Sequence, residues 1–420
     1  MSRRNTRRPA VLILVTLIGV LAVAAVSGLL WIRGKAESLE RRAAVLESEL
    51  EDWVRRNGER PPVRGKGIAG EAWEEYRQAL SWVAEEKSKK SGVLAKTRHR
   101  LDERIRIGTQ IPRPPGEIPI MAIRVRAGAK LTHVRIEFPK YSTPLDSVIQ
   151  GVADSVLWYA AALLDDGHAG EALEHIFDVA WYGADIMRTG YCIDSLRGLT
   201  IVHDALRLAA HALLEEPGSR DALIAALEHL QENLPSVEAG ILERAAWRAR
   251  WVLAGDFCRA SGMTEWVHNR VRHPVFHLDV HDALDDFDLE RRLLGAPWSK
   301  VRPAFDAFDR RSGYSDWIGI HKTWRVTKID RAFRAVVAMI RLLLAACEEG
   351  ETGRDPFGDG ESMLRERREE GQRVLWSLGP DGTDNGGQAA RGARGFRTIL
   401  RMGARVDAGE DIVLVIPSSR

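Results

Sequence analysis

The chain has 420 residues, 45% hydrophobic and 29% charged, enough to bury a sizeable core in one large domain or two ordinary ones. Its 61 Lys and Arg against 59 Asp and Glu leave a net charge of +2, which excludes the concentrated basic face that a nucleic-acid partner needs. Three cysteines, Cys192, Cys258 and Cys347, lie far apart inside apolar helical patterns, so at most one pair could bridge, and buried thiols are expected over a disulfide framework or a cysteine metal set, neither of which has suitable spacing.

Pro9 to Ile32 carries no charge and, as a helix, spans roughly 36 Å at about 1.5 Å per residue, enough to cross a ~30 Å hydrocarbon core. A cleaved secretory signal shares the basic start and the small residues from Ala24 to Gly28. Its apolar region would run about 7 to 15 residues, whereas Leu29, Leu30, Trp31 and Ile32 continue the run here. A retained anchor is therefore expected at 9–32. Arg3, Arg4, Arg7 and Arg8 keep the short tail 1–8 cytoplasmic, which places the bulk outside the inner (cytoplasmic) membrane, single-pass.

Beyond the membrane, Ala36, Leu39, Ala43, Leu46, Leu50 and Trp53 recur at alternating spacings of three and four, the rhythm of a helix seam. The seam lasts under three heptads. It predicts a helical stalk over 33–56 and leaves self-association through that stalk open. Asn57 to Gly70 reads as a linker, and its Gly65-x-Gly67-x-x-Gly70 lacks the preceding strand that a dinucleotide fingerprint requires. Helices follow at Glu71 to Ser88 and Val93 to Ile107. After a Pro-rich break at Pro112 to Pro119, Ile120 to Phe138 alternates enough to read as a short hairpin or irregular chain, closing a membrane-proximal region of linker and helices over 57–140.

From Thr143 the pattern is helical for a long way, giving a helical domain over 141–350. Helices are expected from a Ser142 or Thr143 cap to Leu163, then at Ala169 to Thr189, Ile193 to Glu215, Arg220 to Asn233, Ser236 to Phe257 and Val326 to Glu349. Short turns make neighbours antiparallel, so this is a helical hairpin array. Ala162-Leu163-Leu164-x-x-Gly167-x-x-x-Glu171-Ala172-Leu173 has the flavour of a tetratricopeptide-type (TPR-like) helix pair, although no second copy recurs at a fixed period. The 13 Trp mostly sit at helical spacing beside Ala, Leu and Arg, as Trp247 and Trp251 do, and read as core and cation–π packing.

Two stretches raise the question of metal chemistry. In Val267 to Asp288, His277, His281 and Asp285 are four apart and would share one helix face, the clamp of an exported metal-dependent hydrolase. Pro274 interrupts its start, no His-Glu-x-x-His occurs, and polar surface with capping Asp explains the same residues. Neither a Gly-x-Ser-x-Gly nor a phosphate-cradling Gly-Lys-Ser/Thr is present, so no catalytic residue is assigned. At the C-terminus, 351–420, Met363 to Arg367, Arg373 to Leu378 and Asp411 to Ile416 read as antiparallel strands. Between them, Ser377 to Gly387 interleaves oxygen side chains with glycines. That composition suits Ca²⁺, and equally a Gly/Asn loop with no ion.

Asp355-Pro356-Phe357-Gly358, Ser377-Leu378-Gly379-Pro380-Asp381-Gly382, Gly386-Gly387 and Gly409-Glu410-Asp411-Ile412 occur in the order found at the end of type II secretion major pseudopilins, and the module resembles that family. The resemblance implies a structural Ca²⁺ held by the carboxylates of Asp381, Asp384 and Asp411, with Asn385 and the Leu378 carbonyl as further ligands. It also implies envelope or secretion proteins as partners. The N-terminus departs from the family in lacking its processing site and the acidic residue just inside the helix, which argues against assembly into a filament. Gln388 to Ala408 is an insertion between the two halves of the implied site. The whole arrangement also resembles membrane-anchored proteins of planctomycete-type bacteria, a resemblance that implies no activity. The expectation is thus a mainly α protein with an N-terminal transmembrane helix, an antiparallel helical hairpin array and a small C-terminal antiparallel β module, working in binding or scaffolding with a structural calcium.

Overall fold

The computed structural model describes residues 7–61, 68–88, 101, 113–114, 116–134, 144–188, 192–215, 217–253, 284–285, 287–289, 291–310, 326–348, 353–369, 371–387, 395–396 and 411–417. It is mainly helical with a small antiparallel sheet near the C-terminus, and its residues fall into two compact units. One groups Met1–Glu49 with Leu242–Leu289, and the other groups Leu50–Ile241 with Glu290–Arg420.

The first helix, α1 (Arg7–Asn57), is continuous from the apolar segment through the stalk. Leu17, Val20, Val23, Leu30 and Trp31 are each more than half exposed, so apolar side chains face outward all round and the segment is long and apolar enough to cross a membrane. The stalk behaves differently. Leu39, Ala43 and Leu46 of the predicted seam are buried within the chain itself, in the unit that also buries Leu242, Ala245, Ala249 and Leu284. Ion pairs flank this stripe: Arg42 reaches Asp285 at 2.7 Å and Asp288 at 2.9 Å, and Arg250 grips both oxygens of Glu47 at 2.8 and 2.6 Å.

In the larger unit, β1 (Ile68–Glu71) runs parallel to β2 (Leu131–His133), and α2 (Ala72–Ser88) packs on α3 (Glu117–Lys130). The α3 segment is where the expected hairpin or irregular chain gives way to a helix. Ile118, Met121, Ala122, Val125 and Ala129 are buried at helical spacing, while Ile120 and Ile123, which created the apparent alternation, are exposed. Pro119 is tolerated because it lies in the first turn, where a backbone N–H has no helical partner. The predicted helix at Val93 to Ile107 lies outside the described residues except for Leu101, which is buried.

The hairpin array consists of α4 (Pro144–Asp165), α5 (Ala169–Met187), α6 (Cys192–Glu215) and α7 (Arg220–Asn233), followed by α8 (Glu238–Leu253), which begins in this unit. The Asp-Asp-Gly stop holds as expected. Gly167 takes φ +81°, its N–H reaches the Leu164 carbonyl at 3.0 Å and the His168 N–H reaches that of Leu163 at 2.8 Å, a Schellman closure. The Ser142 or Thr143 cap lies outside the described residues. α4 is also apolar enough to pass as a membrane span, yet 83% of its most apolar window is buried, as befits a core helix. Where α5 crosses α6 the backbones nearly touch: a Cβ on Gly198 would fall 2.3 Å from the Gly183 carbonyl oxygen, and one on Gly183 would fall 2.8 Å from that of Gly198.

After α9 (Trp298–Arg310), α10 (Val326–Cys347) returns to pack on α6 and α7 and also packs on the C-terminal sheet. That sheet joins β3 (Arg365–Glu369), β4 (Gln372–Ser377), β5 (Gly395–Phe396) and β6 (Ile412–Pro417) in the order β3-β4-β6-β5, antiparallel throughout. Three of these strands are the expected ones. The two-residue β5 comes from the insertion between the halves of the implied site, which thus adds an edge to the sheet. Val374, Trp376, Val413 and Val415 form a buried cluster on one face of β4 and β6. Cys347, at the end of α10, is a buried free thiol pushed up to about 11 by burial, as expected for an inert packing residue.

Candidate cation site in the C-terminal loop

The loop after β4 is shaped by glycine. Gly379, Gly382, Gly386 and Gly387 all adopt positive φ, and at Gly387 a Cβ would fall 2.6 Å from the Trp376 ring, so only glycine lets the chain lie flat on that indole. Two tryptophans hold the loop at either end. Trp298 Nε1 donates to the Pro380 carbonyl at 2.9 Å, and Trp376 Nε1 donates to Asp384 Oδ1 at 3.0 Å. Trp298 is itself fully buried against Phe305 and Phe357, with the Arg334 guanidinium over its ring at 5.3 Å.

At the base of the loop lies Asp355, whose side chain is fully buried. Its Oδ1 accepts from the Phe357 N–H at 2.9 Å and the Ser377 hydroxyl at 2.6 Å, and its Oδ2 accepts from the Leu378 N–H at 2.9 Å. The Asp-Pro-Phe-Gly turn is thereby tied to the end of β4. This aspartate is a structural bolt and not a free ligand.

The five residues that the resemblance implies as ligands, Leu378, Asp381, Asp384, Asn385 and Asp411, lie in the chain from the end of β4 to the start of β6. Asp384 Oδ1 also accepts from the Gly386 N–H at 2.9 Å, and its Oδ2 faces Arg365 Nε at 2.8 Å. Burial pushes its carboxyl up, but the donors from Gly386, Trp376 and Arg365 outweigh that and hold it below the ordinary carboxylate range. Asp411 is buried and accepts from the Gly387 N–H at 2.9 Å and the Asn385 N–H at 3.4 Å. Burial raises its carboxyl above the ordinary range, the two N–H donors oppose this, and the charges of Asp384 and Asp381 raise it further. Asp381 Oδ1 accepts from the Thr383 N–H at 3.0 Å, and Leu378 is buried.

The donor set named by the resemblance fits a hard cation in its chemistry: carboxylate, amide and carbonyl oxygens with no nitrogen or sulfur, and the charges of Asp384 and Asp381 bearing on Asp411, which a positive charge would offset. Among the described residues no three Asp, Glu, His or Cys side chains converge as a ready-made metal group. Sequence reasoning missed Arg365 and Arg367, whose Nη1 donates to the Gly386 carbonyl at 2.6 Å. The signal was present in Arg-Glu-Arg-Arg-Glu: residues 365 and 367 are two apart on a strand and therefore share a face.

A second polar cluster, also missed, lies in the helical core. Arg60 Nε and Nη2 grip the Asp185 carboxylate at 2.7 and 3.0 Å with both side chains fully buried, and the Tyr76 hydroxyl donates to Asp185 Oδ2 at 2.6 Å. The remaining Arg60 donors reach the carbonyls of Gly128 and Ala129 at 3.2 and 3.0 Å. Arg188 donates to the carbonyls of Asn57 at 3.1 Å and Asn233 at 2.8 Å, the last residues of α1 and α7, and so caps two helix C-termini at once. Burial raises the Tyr76 hydroxyl, and the Asp185 charge adds to it, which keeps the phenol neutral and donating. Arg60, Asp185 and Tyr76 are partnered to one another and to backbone carbonyls inside the fold, so the cluster is a lock. Asp185 within the apolar run of α5 was the readable sign, because a buried acid needs a cation.

His277 and His281 lie outside the described residues, and Asp285 is engaged by Arg42. Comparison with known proteins found no matching family model, no similar curated protein and no similar solved structure.

Proposed function

We propose that the protein is a membrane-anchored, extracytoplasmic scaffold whose C-terminal module is held by a structural Ca²⁺. The observation that carries the anchor is the exposure of apolar side chains on every face of α1 between Leu17 and Trp31, followed within the same helix by a stripe buried in the chain's own fold. Water does not tolerate the first half and has no access to the core of the second. Arg3, Arg4, Arg7 and Arg8 orient the tail inward, and the helical hairpin array offers an extended surface to an envelope or secretion partner.

In this reading Asp381, Asp384 and Asp411 supply carboxylates, and Asn385 and the Leu378 carbonyl complete the oxygen set. A bound cation neutralises the acids and fixes a loop whose glycines make it costly to order. The role is structural: it joins the loop to the start of β6, and no step of chemistry is assigned. Fractionation of cells tests the anchor. The full chain is expected to stay with membranes after an alkaline wash and to be degraded by protease added to the outer face of spheroplasts. A chain recovered in the soluble fraction contradicts the anchor, and one protected until the membrane is broken contradicts the orientation.

A further inference from the structure

We propose that Arg365 is a built-in counter-ion of this loop, holding Asp384 while no metal is bound and competing with Ca²⁺ for it. The inference rests on the calcium reading above and goes beyond it by assigning the residue that sets the site's affinity.

The two oxygens of Asp384 are placed unequally. Oδ1 is pinned by the Trp376 indole at 3.0 Å and the Gly386 N–H at 2.9 Å, while Oδ2 faces Arg365 Nε at 2.8 Å. Asp384 can therefore keep its position when Arg365 leaves, with Oδ2 as the oxygen that changes partner. The pair is also wet: the Asp384 side chain is 45% exposed and that of Arg365 29%, so water screens it and exchange is cheap.

Arg365 has somewhere to remain. Its Nη1 lies 3.5 Å from Asp355 Oδ2, and Asp355 is fully buried and fixed by Phe357, Ser377 and Leu378. The guanidinium thus spans one immobile acid and one exchangeable acid, and releasing the second does not strand its charge. Arg367, on the same face of β3, holds the Gly386 carbonyl and keeps the loop in register whichever partner Asp384 has.

Affinity for Ca²⁺ is then the intrinsic affinity divided by the strength of the Arg365 hold. The test is calorimetric titration of the detergent-solubilised, metal-stripped full chain with CaCl2, comparing wild type with Arg365→Met, Arg365→Gln and Arg368→Met. Arg368 is the control for charge alone, since it lies on the same strand, is 75% exposed and pairs with Glu366. The Trp376 indole N–H resonance reports whether the loop is folded in each variant. The expected result is Ca²⁺ binding about three- to fivefold tighter in Arg365→Met and Arg365→Gln, the most that a screened surface pair can withhold, and within twofold of wild type in Arg368→Met. Equal affinity in all four chains, the same gain in Arg368→Met, or weaker binding in both Arg365 variants overturns the counter-ion role and leaves the calcium site standing. No binding in wild type or any variant, with the Trp376 resonance in its folded position, overturns the calcium site and this inference with it.

Discussion

Two guanidinium–carboxylate pairs in the larger unit use the same atoms to opposite ends. Arg60 and Asp185 are fully buried, bidentate and surrounded by satisfied carbonyls, whereas Arg365 and Asp384 meet through one contact at the surface of a glycine-rich loop. Water decides the difference. In the core, breaking the pair leaves a bare charge in a poor solvent, so the pair is a permanent lock. At the loop both groups can be rehydrated, so the pair is replaceable. The first ties the segment leaving α1 to the helical core; the second ties a glycine-rich loop to the edge strand β3.

The largest expected effect comes from the lock. Asp185→Ala leaves Arg60 without its carboxylate and is expected to cost about 3–5 kcal/mol in chemical denaturation, whereas Asp384→Ala in the metal-free chain costs no more than about 1 kcal/mol. Similar values for the two would break the comparison. Next comes the α5–α6 crossing. Gly198→Ala pushes a methyl into the Gly183 carbonyl and is expected to cost about 1–3 kcal/mol, read as a lower denaturation midpoint with an unchanged slope. A neutral outcome would mean that the helices separate freely and that their close approach is not needed.

Smallest is the pH response of the sheet edge. The hydrogen bond from Arg373 holds the Glu366 carboxyl below its ordinary 4.5; burial opposes it and Arg368 adds to it. A depressed acid gives stability that is present above the unfolded value and lost as pH falls through the folded one. Glu366→Gln is therefore expected to flatten stability against pH below about 4.5, by less than about 1 kcal/mol because the group is partly exposed. An unchanged slope would place the acid response elsewhere.

Much of the fold was legible because periodicity was strong and punctuation clear: Arg220 to Asn233 was read to the residue, and the Asp-Asp-Gly stop and the strand ending in Leu414, Val415 and Ile416 were visible outright. The misreading of 120–130 arose from local alternation, in which exposed Ile120 and Ile123 mimicked a strand while the longer spacing of Ile118, Met121 and Val125 carried the helix; 131–133 is a short strand. The lock was legible only in half. Asp185 stands out in an apolar run, but its partner Arg60 lies 125 positions away in a stretch that reads as linker, and only the fold brings them together. The candidate loop residues could be named only through the resemblance, since composition alone suits a bare Gly/Asn loop equally well, whereas Arg365 looked like one more charge on a polar strand.

If the loop takes up Ca²⁺ as proposed, the surface pair yields to the cation and the buried pair does not. The most direct test is thermal unfolding of the metal-stripped full chain in detergent, titrated with Ca²⁺ and Mg²⁺, for wild type and Asp384→Ala. A hundredfold excess over Kd adds about 2.7 kcal/mol to the native state, enough for a clear rise in Tm. That rise is expected with Ca²⁺ in wild type and is expected to be lost in Asp384→Ala. A Tm indifferent to Ca²⁺, or a Ca²⁺-dependent rise that survives Asp384→Ala, would contradict it.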